Sequence, residues 1–181
     1  MSAEEQRAVL RGAVREFPDY PLPGVCFRDI TPILKDPAAF SAAIDLFESY
    51  LRENFPKIDS IAGKGASSRK GHVCVVARSK SLLWGPGPTS YAPADSDFSY
   101  FCSLCLLQAE IEIQTDAVHP GQKVVLIDDL LATGGTMAAA CELLQRRNAD
   151  IPACLVIIEL TSLKGAEKLE PHPVLALLQY D

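Results

Sequence analysis

The chain has no apolar run approaching the roughly 20 residues that a membrane-spanning helix needs. Its opening stretch mixes Glu4, Glu5, Arg7 and Arg11 with apolar residues, so the basic end and apolar core of a signal peptide are missing. These absences set the expectation of a cytosolic protein with no membrane partner. A basic excess is missing too, since the formal charge is −6. An acidic chain repels phosphate backbones, which excludes nucleic acid as a partner and requires any phosphate to be held locally. There is no internal repeat and no Walker pattern G-x-x-x-x-G-K-[ST]. Gly63-Lys64-Gly65-Ala66-Ser67-Ser68 matches neither glycine-rich nucleotide fingerprint. Cys102 and Cys105 form a lone C-x-x-C without a second ligand pair, which gives no ground for a zinc or redox role. The six cysteines are expected as thiols.

What is present suits one globular domain, 48% hydrophobic and 22% charged over 181 residues. A chain of this length buries roughly 70% of its unfolded surface and needs no covalent staples. A single domain is expected over 1–181, with 1–35 forming an N-terminal helix and a loop. Val9, Leu10, Ala13, Val14 and Phe17 share one helical face, and Pro18 ends that helix. Pro18 to Pro32 reads as a rigid, extended loop around Cys26-Phe27-Arg28-Asp29. Asp36 then caps a second helix with Pro37 at its first position, and Phe40, Ile44, Phe47 and Leu51 line its expected buried face. Ile58 to Gly63 reads as a short strand.

The second half alternates more regularly. Glu110 to Gln114 has the period of a half-exposed strand, and His119-Pro120-Gly121-Gln122 is a turn. Lys123 to Ile127 is a continuous apolar strand of the sort buried on both faces of a parallel sheet. A helix follows over Thr136 to Arg147, with Met137, Ala140, Cys141 and Leu144 inward. Strands follow at Ala153 to Leu160 and Val174 to Leu178. This order gives an α/β fold with a central, mostly parallel sheet flanked by helices.

Chemistry concentrates where the strand after Lys123 meets its helix. Two adjacent carboxylates, Asp128 and Asp129, precede Ala132-Thr133-Gly134-Gly135-Thr136. Backbone amides at a helix start bind anions, and the helix dipole adds attraction. The glycines let the backbone approach a ligand, and the threonines add hydroxyl donors. Two acids would repel a bare polyphosphate, but they accept hydrogen bonds from ligand hydroxyls. A ribose 5-phosphate satisfies both requirements: phosphate on Ala132–Thr136, sugar hydroxyls on Asp128 and Asp129. A receiver-domain acidic pair would come from the first strand, whereas this pair lies late in the chain.

The run Val124 to Thr136 resembles the phosphoribosyl-pyrophosphate signature of the type I phosphoribosyltransferases. Phe17-Pro18-Asp19-Tyr20-Pro21, Pro23 to Ile30, Leu34-Lys35-Asp36-Pro37, Ala140 to Leu144, Glu159 to Gly165 and Leu177 to Tyr180 are similar to the adenine phosphoribosyltransferase branch. The resemblance implies transfer of phosphoribose from phosphoribosyl pyrophosphate to adenine, giving AMP and pyrophosphate in purine salvage. It implies Mg²⁺ on the substrate phosphates rather than in a protein cage, and a cytosolic homodimer. It also implies an adenine-binding hood at Val25, Cys26, Phe27 and Arg28.

Residues 64–108 depart from that pattern. The family continues Ile-Ala-Gly as Leu-Asp-Ser-Arg-Gly-Phe, a loop that holds pyrophosphate; this chain has Lys64-Gly65-Ala66-Ser67-Ser68-Arg69. The family's flap ends Glu-Tyr-Gly-Lys before Ala-Glu; here Cys105-Leu106-Leu107-Gln108 precede Ala109-Glu110. The catalytic residue is therefore left unassigned, because the flap glutamate is absent. Gly63-Lys64 and Gln108 are both compatible with splice-site codons, so an intron-derived segment is one origin. The departure leaves an alternative to the active transferase: a catalytically impaired variant that still binds AMP or ribose phosphate.

Overall fold

The computed structural model describes residues 1–20, 22–65, 71–78, 100–102, 109–113 and 117–181. Most of the atypical stretch, including Ala66 to Lys70, Gly85 to Pro88, Phe98 and Cys105, lies outside the described residues, as does Gln114.

The first helix, α1 (Ala3–Ala13), starts on a reciprocal cap. The Ser2 hydroxyl accepts from the Glu5 amide at 3.2 Å, and the Ser2 amide donates to Glu5 at 2.7 Å. The helix ends sooner than its apolar spacing suggests. Val14 is extended, and Phe17 belongs to strand β1 (Arg15–Phe17). That strand pairs antiparallel with β2 (Phe27–Asp29), so the proline-rich stretch is not simply a loop. The register sets Arg15 opposite Asp29, Glu16 opposite Arg28 and Phe17 opposite Phe27. Opposite charges and facing aromatics are the pairs that stabilise a two-stranded ribbon.

A short helix, α2 (Thr31–Lys35), leads to α3 (Pro37–Asn54). The Asp36 carboxylate caps α3 as expected, accepting from the Ala38 and Ala39 amides at 2.8 and 3.2 Å. Its buried face is rotated from the expected one. Ala39, Ala42, Ala43, Leu46, Phe47 and Leu51 are buried, whereas Ile44 is exposed and Phe40 only half-buried. Alanine brings the helix backbone close to its neighbours, so the small residues face the core here.

The remaining strands are β3 (Ser60–Gly65), β4 (Gly71–Arg78), β5 (Tyr100–Cys102), β6 (Ala109–Glu112), β7 (Val124–Leu131), β8 (Cys154–Leu160) and β9 (Val174–Tyr180). Helix α4 (Gly135–Arg146) joins β7 to β8, and 3-10 turns over Thr161–Leu163 and Gly165–Leu169 join β8 to β9. The sheet order is β5-β6-β4-β3-β7-β8-β9. Strands β3, β7, β8 and β9 are mutually parallel. β4 runs against β3 and alongside β6, and β5 runs against β6.

Both faces of the parallel strands are covered. Val124 and Leu126 of β7, with Cys154 and Val156 of β8, pack under Met137, Ala140, Cys141 and Leu144 of α4. Val125 and Leu155 point the other way, against Leu10 of α1, Ile33 of α2, and Ala43 and Phe47 of α3. Double burial explains the unbroken apolar runs of these strands. The Cys141 and Cys154 sulfurs are 3.7 Å apart, too far for a disulfide bond, and with Cys26 both are free thiols.

Asp29 anchors the β1–β2 ribbon to α2. Its carboxylate accepts from the Thr31 hydroxyl, the Thr31 amide and the Arg15 guanidinium. Those bonds, led by the Thr31 hydroxyl, hold its pKa down at about 2, from an ordinary 3.8. A carboxyl depressed on folding adds stability above its unfolded value and loses it as pH falls through its folded value. Asp29→Asn is therefore expected to lower the melting temperature by a constant amount at neutral pH. Thermal melts should show that gap closing between 3.8 and about 2. A gap that persists unchanged at the acid end would remove the carboxylate from this role.

Candidate functional site

The carboxyl ends of β7, β8 and β9 form one edge of the sheet, where open α/β sheets bind ligands. Strand β7 runs further than expected. Asp128 and Asp129 lie inside it rather than after its end, and pairing with β8 continues through Leu131. Asp128 is half-buried, and one of its oxygens accepts the Asp129 amide at 3.0 Å. Asp129 is exposed. Carboxylates so placed can accept from the hydroxyls of a sugar.

Beyond Leu131 the chain turns through Ala132, Thr133 and Gly134 into α4. Gly134 is the N-cap, with φ 76° and ψ −2°, a left-handed conformation suited to glycine. Having no side chain, it offers no oxygen to the amides of the first turn, and an anion can take that capping role. Thr133 is half-buried and Thr136 is exposed, on either side of the buried Gly134 and Gly135. The segment read from sequence as a phosphate cradle thus surrounds a helix start at the ligand-binding edge.

The hood is built by β1, β2 and the turn between them. Asp19 and Gly24 take positive φ, and the Asp19 carboxylate accepts the Gly24 amide at 2.8 Å. The Tyr20 amide donates to the Val25 carbonyl at 3.0 Å. The Phe27 ring lies 5.6 Å from that of Tyr20, edge to face, and 6.4 Å from that of Phe17. Val25 and Phe27 stay more than two-fifths exposed, an apolar surface for a flat ligand. Arg28 does not point freely outward. Its guanidinium lies 4.1 Å above the Tyr180 ring, and its Nε is 3.5 Å from the Glu16 carboxylate.

Tyr180 brings the two halves together. It pairs with Leu160 at the carboxyl end of β9, while Leu131 of β7 pairs with Glu159 of β8. Gln179 donates to the buried Glu159 carboxylate across the same edge, at 2.8 Å. Hood and cradle therefore share an edge two strand spacings apart, about 10 Å, the reach of a nucleoside monophosphate. Sequence reasoning gave no sign of Tyr180 or Glu159 as organisers of this edge, because their partners are distant along the chain. Among the described residues, no group of three or more His, Cys, Asp or Glu side chains is placed to hold a metal ion.

Comparison with known proteins identifies the family. Residues 107–174 match the phosphoribosyl transferase domain family. The chain is 46% identical to the human adenine phosphoribosyltransferase over 189 residues, covering 99% of each protein. A solved adenine phosphoribosyltransferase from Thermoanaerobacter pseudethanolicus superposes with a TM-score of 0.75 at 30% identity, covering 99% of this chain and all of that one. The Saccharomyces cerevisiae enzyme, solved with adenine and an imino-altritol bisphosphate, gives 0.74 at 27% identity, covering 97% of this chain and 99% of its own. With identity of this order over an alignment that spans 99% of the chain, the protein belongs to the adenine phosphoribosyltransferases.

Proposed function

We propose that this chain transfers phosphoribose from phosphoribosyl pyrophosphate to adenine, releasing AMP and pyrophosphate, in purine salvage. The observation that carries the reading is an acid pair and a glycine-led helix start meeting at one sheet edge, in a chain of this family. Adenine would rest on the hood at Val25, Cys26, Phe27 and Arg28. The sugar hydroxyls would donate to Asp128 and Asp129, and the 5-phosphate would sit on Ala132, Thr133, Gly134, Gly135 and Thr136.

In the reaction, N9 of adenine forms a bond to C1 of the ribose as the bond from C1 to pyrophosphate breaks, and the proton that adenine gives up passes to water or to the departing pyrophosphate. Positive charge develops at the sugar, and the carboxylates of Asp128 and Asp129 favour it electrostatically. Mg²⁺, when bound, would screen the phosphate charge. A hard cation that keeps its waters and uses substrate phosphates suits a site whose nearby protein donors are two carboxylates. We place the enzyme in the cytosol as a homodimer, following the family resemblance. The impaired, binding-only alternative gains no support over this reading from the comparisons.

Three measurements test the reading. Steady-state assay of the full chain with adenine, phosphoribosyl pyrophosphate and Mg²⁺ should give AMP at a rate ordinary for enzymes, around 10 s⁻¹. Binding of AMP without measurable turnover would return the chain to the impaired class. AMP at about 100 times its Kd should stabilise the fold by about 2.7 kcal/mol, read as a rise in melting temperature. Gly135→Val should abolish that rise, and an undiminished rise would move the phosphate site elsewhere. Arg28→Ala removes the contact that seats the hood on Tyr180, so adenine KM should rise about tenfold or more while that for phosphoribosyl pyrophosphate changes little. Equal losses for both substrates would make Arg28 an ion-pair partner and no more.

A further inference from the structure

The phosphate cradle is not shaped by its own residues alone. It rests on Gly165, which opens the second 3-10 turn between β8 and β9. A methyl group at Gly165 would lie 2.3 Å from the Ala132 carbonyl oxygen, 3.0 Å from the Gly134 nitrogen and 3.1 Å from the Leu131 side chain. The contact is reciprocal, since a methyl group at Gly134 would lie 2.4 Å from the Gly165 carbonyl oxygen. Two backbones meet here with no side chain between them.

The two glycines are required for different reasons. Gly134 has a left-handed φ of 76°, so its backbone alone favours glycine. Gly165 is not among the positive-φ residues, and its backbone suits any amino acid. Only the need for room restricts it, and the cradle backbone takes that room. Lys164 just before it does adopt a left-handed φ of 52°, which turns the chain so that Gly165 comes up under the cradle. Gly165 itself is buried.

We infer that Gly165 is a positioning residue for the ribose 5-phosphate: it sets the height of the Ala132–Gly134 backbone, and so the aim of the α4 amides at the phosphate. This rests on the proposed function for the identity of the ligand, while the contact itself does not. Ordinary van der Waals contact begins near 3.4 Å. A side chain at 165 must therefore push the cradle by about 1 Å, and a misplacement of that size can cost on the order of 10² in rate. The hood is on the ribbon at the far side of β8 and is spared, so the effect should be selective.

The test is Gly165→Ala in the full chain, with Leu163→Ala as a control on an exposed neighbour. Titration calorimetry should show AMP binding weakened at least tenfold in Gly165→Ala, and steady-state kinetics should show KM rising for phosphoribosyl pyrophosphate by a similar factor. KM for adenine should change less than threefold, a split that general destabilisation would not produce. Leu163→Ala should bind AMP as the unsubstituted chain does. A crystal structure of ligand-free Gly165→Ala should show the Ala132 carbonyl displaced. Unchanged AMP affinity, equal losses for both substrates, or a cradle in its original place would each overturn the inference. If the variant does not fold, hydrogen exchange on the unsubstituted chain decides. AMP should then slow exchange at Lys164 and Gly165 together with 132–136, and slowing confined to 132–136 would refute the coupling. Failure of the unsubstituted chain to bind AMP would sink the functional reading alone, and the crystallographic displacement would still judge the contact.

Discussion

Everything at the ligand edge depends on the burial of β7 and β8 on both faces. Helix α4 covers one side, and α1, α2 and α3 cover the other. A sheet so covered has no free face to offer, so ligands meet it at the ends of its strands. Polar residues gather toward those ends: Asp128 and Asp129 in the carboxyl half of β7, Glu159 on β8, Gln179 and Tyr180 on β9. The rigid interior holds them in register. Strand pairing carries the alignment from Leu131 to Glu159 and from Leu160 to Tyr180.

The two halves of this edge, the turn from β7 into α4 and the β1–β2 ribbon, are held by unlike physics. The cradle is a matter of backbone approach, with glycines on both sides and no room for a Cβ. The hood is a matter of side-chain pairing, with charges and rings alternating across a two-stranded ribbon. Phosphate recognition asks for amides and close contact, which only backbone can supply densely. A purine asks for a flat apolar surface, and Phe27 and Val25 expose one while their neighbours tie the ribbon down.

Local signals account for what the sequence revealed. The β7–α4 unit was legible because an unbroken apolar strand, turn glycines and a helical period follow one another within a short stretch. The Asp36 cap was legible because capping is a contact between residues two or three apart. The spacing of Phe17 from Ala13 and Val14 fits a helix, whereas its actual partner is Phe27 across the ribbon. A signal was nevertheless present: Arg15-Glu16-Phe17 and Phe27-Arg28-Asp29 are complementary in charge when one is read backward. Ile44 was misassigned because a larger apolar residue was preferred to the alanines on the adjoining face. Ser2 and Glu5 form a capping box that their spacing announces. Gly165 and Tyr180 were out of reach, since their meaning lies in partners brought close only by the finished sheet.

The stacking of Arg28 on Tyr180 ties the β1–β2 ribbon to a strand about 150 residues further along the chain. On the ribosome, the ribbon over Arg15–Asp29 emerges well before β9, yet its seat is made only when β9 has been translated and paired with β8. Chains generally fold in the order in which they are made, but this surface must wait. A nascent chain arrested before β9 holds the residues of the hood without the ring that orients them. The ribbon is therefore translated well before the strand that seats it.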